Sequence, residues 1–279
     1  MKLKLWQIDA FANKTLEGNP AAIVPLQTWL DAPLMQKIAG ENNLAETAFF
    51  VGTTPGHYDL RWFTPATEVD LCGHATLASA WLIFEQLDPE LKSVSFQTRS
   101  GELIVTRGRD GAHVMSLPSD KIAPFEAPKG FARELGEAIG APPPKELFKS
   151  RYLLAVWDEA KDVRAIKGPN GVARVLRGIG MWGLIATAKG DANDPGAYDF
   201  VSRFFAPDKG VPEDPVTGSA HSTLIPFWAE RLGKTELFAR QISRRGGELY
   251  CRLLGERVGI GGQAVVYSKG EIEVPTEIH

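Results

Sequence analysis

Glu213-Asp-Pro-Val-Thr-Gly-Ser-Ala-His221 reads as a sharp turn feeding straight into a buried helix. Pro212 and Pro215 hold the backbone extended, Thr217 is placed to cap, and Gly218 lets the chain pass close to a ligand. An apolar run, Leu224-Ile-Pro-Phe-Trp228, carries the helix on, with a kink expected at Pro226 and a stop at Gly233. The first amides of such a helix lack intrahelical acceptors. Together with the helix dipole they attract a carboxylate or phosphate oxygen.

The same device occurs earlier, in Asp70-Leu-Cys-Gly-His-Ala-Thr76, which leads into the apolar helix Leu77-Ala-Ser-Ala-Trp-Leu-Ile-Phe84 and is expected to run to about Leu87. A matching strand end precedes each copy: Arg61-Trp-Phe-Thr-Pro65 and Arg203-Phe-Phe-Ala-Pro207. The arginines are offset by 142 residues and the glycines, Gly73 and Gly218, by 145. That is about half of the 279-residue chain, so two similar halves arisen by duplication are expected.

With 44% hydrophobic residues the chain can bury the core of two ordinary domains. Its net charge of −3 comes from 31 basic and 34 acidic residues that are interspersed, without a basic stripe, which argues against a nucleic-acid partner. No apolar run approaches the roughly 20 residues of a spanning helix. The opening Met1-Lys-Leu-Lys-Leu-Trp-Gln-Ile-Asp9 breaks too early for a signal peptide, so no membrane association and a cytoplasmic location are expected. Cys72 and Cys251 lie far apart in the sequence, as suits reduced thiols.

Residues 3–11 and 21–24 read as strands around the turn Gly18-Asn-Pro20, and a helix follows with Asp31 as its cap and Pro33 in its first turn. Thr47 to Val51 is a buried strand with Glu46 at its entrance, and His57 to Phe63 alternates as a half-exposed antiparallel strand. More strands follow at 94–97, 102–107 and 113–117, with a turn at Arg109-Asp-Gly111. The proline-rich stretch 118–128 is the linker, which divides the chain into residues 1–122, with Glu46 and the first helix start, and residues 123–279, with the second. The last strand is allowed to pack back on the first half. The second half repeats the pattern: a helix at 131–139, strands at 152–157, 183–188 and 198–205, a short helix around 172–176, and strands from Glu248 onward. The fold class is α+β, two pseudo-symmetric β-rolls or barrels, each wrapped around a central helix. Both helix starts are expected to open on a cleft between the halves.

Two helix N-termini at one cleft can hold one carboxylate and stabilise an enolate-like oxygen, leaving a side chain to move the proton. The candidates are Glu46, Cys72, His74, Asp214 and Ser219. Glu46 stands first, since a carboxylate among apolar neighbours such as Leu44 and Phe49 can serve as both acid and base. Phe49, Trp62, Phe204 and Phe205 line either a pocket or the core. Taken singly each candidate has a plainer reading: Glu46 a solvated strand end, His74 a packing residue, Cys72 an inert thiol, Asp214 a turn former. Cys72-Gly-His74 lacks a second ligand pair, so no metal is expected. His221 is read as packed or capping, and Arg240 to Arg245 as a solvated surface.

Asn43-Leu-Ala-Glu-Thr-Ala-Phe49, Asp70-Leu-Cys-Gly-His-Ala-Thr76 and Glu213-Asp-Pro-Val-Thr-Gly-Ser-Ala220, with Gly18-Asn-Pro-Ala-Ala22, resemble the signatures of the phenazine-biosynthesis PhzF family. That family is similar in fold to diaminopimelate epimerase. The resemblance covers essentially the whole chain. It implies a cofactor-independent isomerase, with no cofactor and a homodimeric assembly, in which Glu46 shuttles a proton on a small carboxylate. It further implies that His74, Asp214 and Ser219 hold the substrate and that Gly73 and Gly218 lend backbone amides. Ala45 stands where the family usually has serine, which bears on the substrate. Epimerases of this fold resemble a two-thiol machine; Cys72 matches one thiol, but Thr217 takes the place of the other, and its hydroxyl is far too weak an acid. The alternatives are an amino-acid epimerase using Cys72 with another base, and a non-catalytic binder of small carboxylates.

Overall fold

The computed structural model describes residues 1–108, 111–169, 171–192, 194 and 196–275. The chain divides into two compact units, residues 1–116 with the chain from Gly261 onward, and Leu117–Ile260.

In the first unit β1 (Lys2–Ala10) pairs antiparallel with β2 (Asn19–Leu26). Gly18 between them has φ +64°, and a Cβ there would lie 2.1 Å from the Ala10 carbonyl oxygen, so this turn requires glycine. Helix α1 (Ala32–Asn42) begins after Asp31, whose side chain makes no capping bond, and ends at Asn43 with φ 46°. It forms the crossover to β3 (Glu46–Thr54), which is parallel to β2 and antiparallel to β4 (His57–Phe63). A short β5 (Glu68–Val69) leads to α2 (Gly73–Leu82). The chain then makes a π-helical turn over Ile83–Leu87, where regular helix was expected. β6 (Ser93–Thr98) lies parallel to β4, and β7 (Gly101–Arg107) and β8 (His113–Pro118) continue the meander. Arg109 and Asp110 of the expected turn fall outside the described residues.

The second unit holds β9 (Ala123–Pro124), α3 (Phe131–Ile139), β10 (Glu146–Lys149), β11 (Leu153–Val156), α4 (Ala160–Arg164), α5 (Val172–Gly178), β12 (Leu184–Lys189), β13 (Phe200–Ala206) and β14 (Val211–Asp214). Next come α6 (Gly218–Leu232), β15 (Glu236–Gln241), β16 (Gly247–Leu254) and β17 (Arg257–Gly262). The final strand β18 (Ala264–Glu273) pairs along β1 in the first unit, from Ala264 opposite Ala10 to Glu273 opposite Lys2. β11 is parallel to β12, β12 antiparallel to β13, and β13 parallel to β15. This repeats the scheme of β2, β3, β4 and β6 and carries the duplication beyond the helix starts.

Strand alternation gives each sheet two apolar faces. One meets the outer helices: Phe49 and Phe63 pack with Leu34, Met35 and Ile38 of α1, while Leu184, Ala186 and Phe205 pack with residues of α3, α4 and α5. The other face meets the central helix, as when Trp228 of α6 stacks on Phe200 and bonds Thr187 at 3.0 Å. Phe49 therefore points away from the face that carries Glu46, and Trp62 and Phe204 belong to the central-helix side. α6 runs unbroken through Pro226. The proline removes the donor that Ser222 would have met, and the Asp120 amide takes that carbonyl at 3.0 Å. The expected linker is thus docked on α6.

Candidate active site

The first helix start gathers four of the candidates. Glu46 is the first residue of β3, next to Ala21 of β2, and Cys72 holds the N-cap position of α2 in an extended conformation. The Thr76 hydroxyl donates to the Cys72 carbonyl at 2.6 Å, which ties the turn to the helix. Gly73 and His74 follow as the first helical residues. His74 Nε2 lies 3.2 Å from Glu46 Oε2, and the two side chains are 7% and 18% exposed. The separation is that of an ion pair, and neither atom has a hydrogen-bond partner among the described residues. On the other side of the ring, His74 Nδ1 is 3.5 Å from Cys72 Sγ.

Burial pulls the His74 pKa down, but the negative charges of Cys72 and Glu46 outweigh it and leave the imidazole well above its usual range. The Cys72 thiol is itself pushed up to about 11, by burial first and by the Glu46 charge second, so it is protonated near neutral pH.

Glu46, Cys72 and His74 offer oxygen, sulfur and nitrogen donors within 4.8 Å of one another. The cysteine-histidine pair therefore gains a third donor that the sequence argument did not count. Sulfur and carboxylate lie against opposite nitrogens of the His74 ring. Asp70 is exposed, with Arg99 3.7 Å away. Glu68, two residues earlier, forks with Arg61 at 2.7 and 2.9 Å, and this guanidinium holds its carboxyl below the usual range.

The second helix start is built the same way with other side chains. Arg203 forks with Glu213 at 2.6 and 2.9 Å, as Arg61 does with Glu68. His221 Nδ1 donates to the Thr217 carbonyl at 2.8 Å, the place that Thr76 takes in the first copy. Thr217 stands at the N-cap without capping the helix; its hydroxyl turns back to Asp214 Oδ2 at 2.5 Å. The Thr217 amide donates instead to Gln241 Oε1 at 2.9 Å, and Gln241 Nε2 donates to the Asp214 carbonyl at 2.8 Å. Ser219, on the position of His74, meets the Tyr152 hydroxyl at 2.9 Å.

Each unit thus brings its own candidates together: Glu46, Cys72, Gly73 and His74 in one, Asp214, Gly218 and Ser219 in the other. Gln241 and Tyr152 were not found from sequence. Gln241 closes Glu236-Leu-Phe-Ala-Arg-Gln241, whose alternation was a readable strand signal, and Arg240 beside it is paired with Tyr198 and Glu248 rather than free in solvent. A cavity of about 620 Å³ in the second unit, between Asp120, Phe148 and Phe227, contains none of the candidates. Among the described residues no helix is long and apolar enough to cross a membrane.

Residues 8–270 match the family model described as phenazine biosynthesis-like protein, PhzC-PhzF. An isomerase of Pseudomonas aeruginosa, described as uncharacterized, is 47% identical over 274 residues, 98% of this chain and all of the relative. The phenazine biosynthesis-like domain-containing protein of Homo sapiens is 39% identical over 288 residues, 98% of this chain and 99% of the relative. A crystal structure of a PhzF-family phenazine biosynthesis protein from Enterococcus faecalis superposes with a TM-score of 0.89 at 39% identity, covering 98% of this chain and all of that one. A hydroxyproline epimerase from Agrobacterium vitis, 11% identical with a TM-score of 0.61 over 97% of this chain and 91% of its own, shares the fold. The α+β architecture with duplicated halves is that of these proteins, and the chain belongs to the phenazine biosynthesis-like PhzC-PhzF family as an isomerase of that type.

Proposed function

We propose that the protein is a cofactor-independent isomerase that moves a proton on a small carboxylate substrate, with Glu46 as general acid and base. The observation that carries this reading is the contact at 3.2 Å between Glu46 and His74 at the start of α2, nearly closed to solvent and with hydrogen-bonding capacity in reserve. A carboxylate there can take a proton from a substrate carbon and return it at another. The imidazolium beside it favours the negative charge that develops on a substrate oxygen. The neutral Cys72 thiol is the poorer base near neutral pH, which favours Glu46 over a thiol mechanism. His74, Asp214 and Ser219 hold the substrate in this reading, with amides of Gly73 and Gly218 directed at its oxygens. A homodimer in the cytosol belongs to the same reading and rests on the family resemblance alone.

The test follows exchange into substrate by proton and deuterium NMR. The protein is incubated in D2O with a panel of small unsaturated and ring carboxylates. Wild type is expected to place deuterium at carbon, and Glu46→Gln to lose this by about 100-fold or more while the circular dichroism spectrum stays the same. Cys72→Ser is expected to retain exchange. Full exchange in Glu46→Gln with loss in Cys72→Ser would move the assignment to an epimerase. Binding of a carboxylate without exchange in any variant would leave a binding protein.

A further inference from the structure

Strand register shows what the second unit carries where the first carries Glu46. In the first unit Phe63 lies opposite Thr47, and Thr47 beside Ala22, so Glu46 and Ala21 are the next neighbours. In the second unit Phe205 lies opposite Leu184, and Leu184 beside Leu153, so the corresponding pair is Gly183 and Tyr152. The acid's place is taken by a glycine. The space is not empty: a Cβ on Gly183 would come 2.6 Å from Cδ1 of Tyr152, whose ring leans across from the neighbouring strand. Its hydroxyl ends 2.9 Å from Ser219 Oγ, and Ser219 is the counterpart of His74. A contact between a strand-entrance group and the second helical residue therefore exists in both units. One is a carboxylate and an imidazole, the other a phenol and an alcohol.

Tyr152 is held firmly in place. It is 3% exposed, and its ring meets Trp182 and Phe204 edge-on at centroid distances of 5.0 and 4.9 Å. Its amide donates to Ser150 Oγ at 3.2 Å, and that oxygen meets Thr223 Oγ1 of α6 at 3.0 Å. Ring and backbone are thus both tied to the helix that begins at Gly218. Burial pushes the phenol pKa up, so the group stays an O–H. A phenol is the stronger donor of the two hydroxyls; with Tyr152 donating, the Ser219 oxygen accepts and its own hydrogen is left for another acceptor.

We infer that Tyr152 is a positioning residue: its hydroxyl fixes that of Ser219 so that Ser219 donates to the substrate, in the second unit's version of the Glu46–His74 contact. This rests on the proposal that Ser219 holds substrate. Gly183 is the residue that makes room for it. A phenol there also supplies no competing base, which leaves proton transfer to the first unit.

The experiment uses the D2O exchange assay on whichever panel carboxylate wild type deuterates in a Glu46-dependent way. Tyr152→Phe, which keeps the ring, is expected to raise KM roughly five- to tenfold with kcat changed less than twofold. In Ser219→Ala the same change is expected to have no further effect, because the hydroxyl acts only through Ser219. An unchanged KM in Tyr152→Phe, or an equal effect with and without Ser219, overturns the inference while leaving Glu46 in place. Absence of any Glu46-dependent exchange overturns both readings. Should Tyr152→Phe fold poorly by circular dichroism, 3-fluorotyrosine at position 152 is substituted; KM must then shift with the altered donor strength, and an unchanged KM counts against the inference.

Discussion

His221 shows how a residue can sit in a motif and serve the backbone. Its Nδ1–H holds the Thr217 carbonyl, it is fully buried, and burial lowers its pKa to about 4 against a small rise from the Thr217 bond. His113, buried in the first unit, is likewise brought to about 4, chiefly by burial. A histidine with a depressed folded pKa binds fewer protons folded than unfolded. Its contribution to stability is complete above the unfolded pKa of 6.5 and is lost as pH falls toward 4. The loss per group is at most about 3 kcal/mol. Urea midpoints measured from pH 7 to 4 should therefore fall. His221→Asn, whose side-chain amide can replace the Nδ1 donor, should flatten that fall; an unchanged slope would mean that His221 does not resist protonation. His74 has the opposite sign. With its pKa raised by its Cys72 and Glu46 neighbours, it contributes most below 6.5 and loses that contribution as pH rises through its folded value.

At the scale of the element, the turn between β14 and α6 is held by a side chain from another strand. Gln241, on β15 and fully buried, occupies the Thr217 amide and hydroxyl and the Asp214 carbonyl together. Gln241→Ala takes the acceptor from the buried Thr217 amide and should cost about 1–3 kcal/mol in chemical denaturation. The Arg203 fork invites a comparison within one molecule. Arg203 and Glu213 are 10% and 21% exposed, and Arg203 also donates to the Ile166 carbonyl at 2.6 Å. Removing Arg203 strands a half-buried carboxylate, so Arg203→Ala should destabilise by about 3 kcal/mol or more. Arg99, 55% exposed and paired with Glu68, should cost under about 1 kcal/mol when replaced by alanine. Equal denaturation midpoints for the two variants would contradict this ranking.

For the whole molecule, the return of β18 to β1 means that the first unit is completed by the end of the chain. Ending the chain after Gly262 removes β18 from β1, whose residues Trp6–Ala10 still pair with β2. Amide hydrogen exchange of Lys2–Leu5 should become fast in that truncated protein, or the protein should become insoluble through the exposed strand edge. Slow exchange at those residues would show them to be held without β18. The two helix starts were legible in the sequence because each is a local device: a glycine, its neighbours and the apolar run behind it lie within about ten residues, whereas Glu46 was singled out through the family resemblance. Tyr152 and Gln241 were not. The offset between the halves is 145 residues at Gly73 and Gly218, but 137 between Glu46 and Gly183 and 131 between Ala21 and Tyr152. No constant shift aligns them, and no residue type is kept.

The sequence by itself determined the α+β class, the duplication and the residues at each helix start, since these follow from short patterns of turn formers and apolar periodicity, and its motifs carried the resemblance to the family. Only the tertiary structure decided which side chains meet: Glu46 with His74, Ser219 with Tyr152, Thr217 with Gln241. Those contacts join strands and helices from 24 to 67 residues apart, and strand register, which backbone pairing sets and residue identity only weakly marks, chooses them.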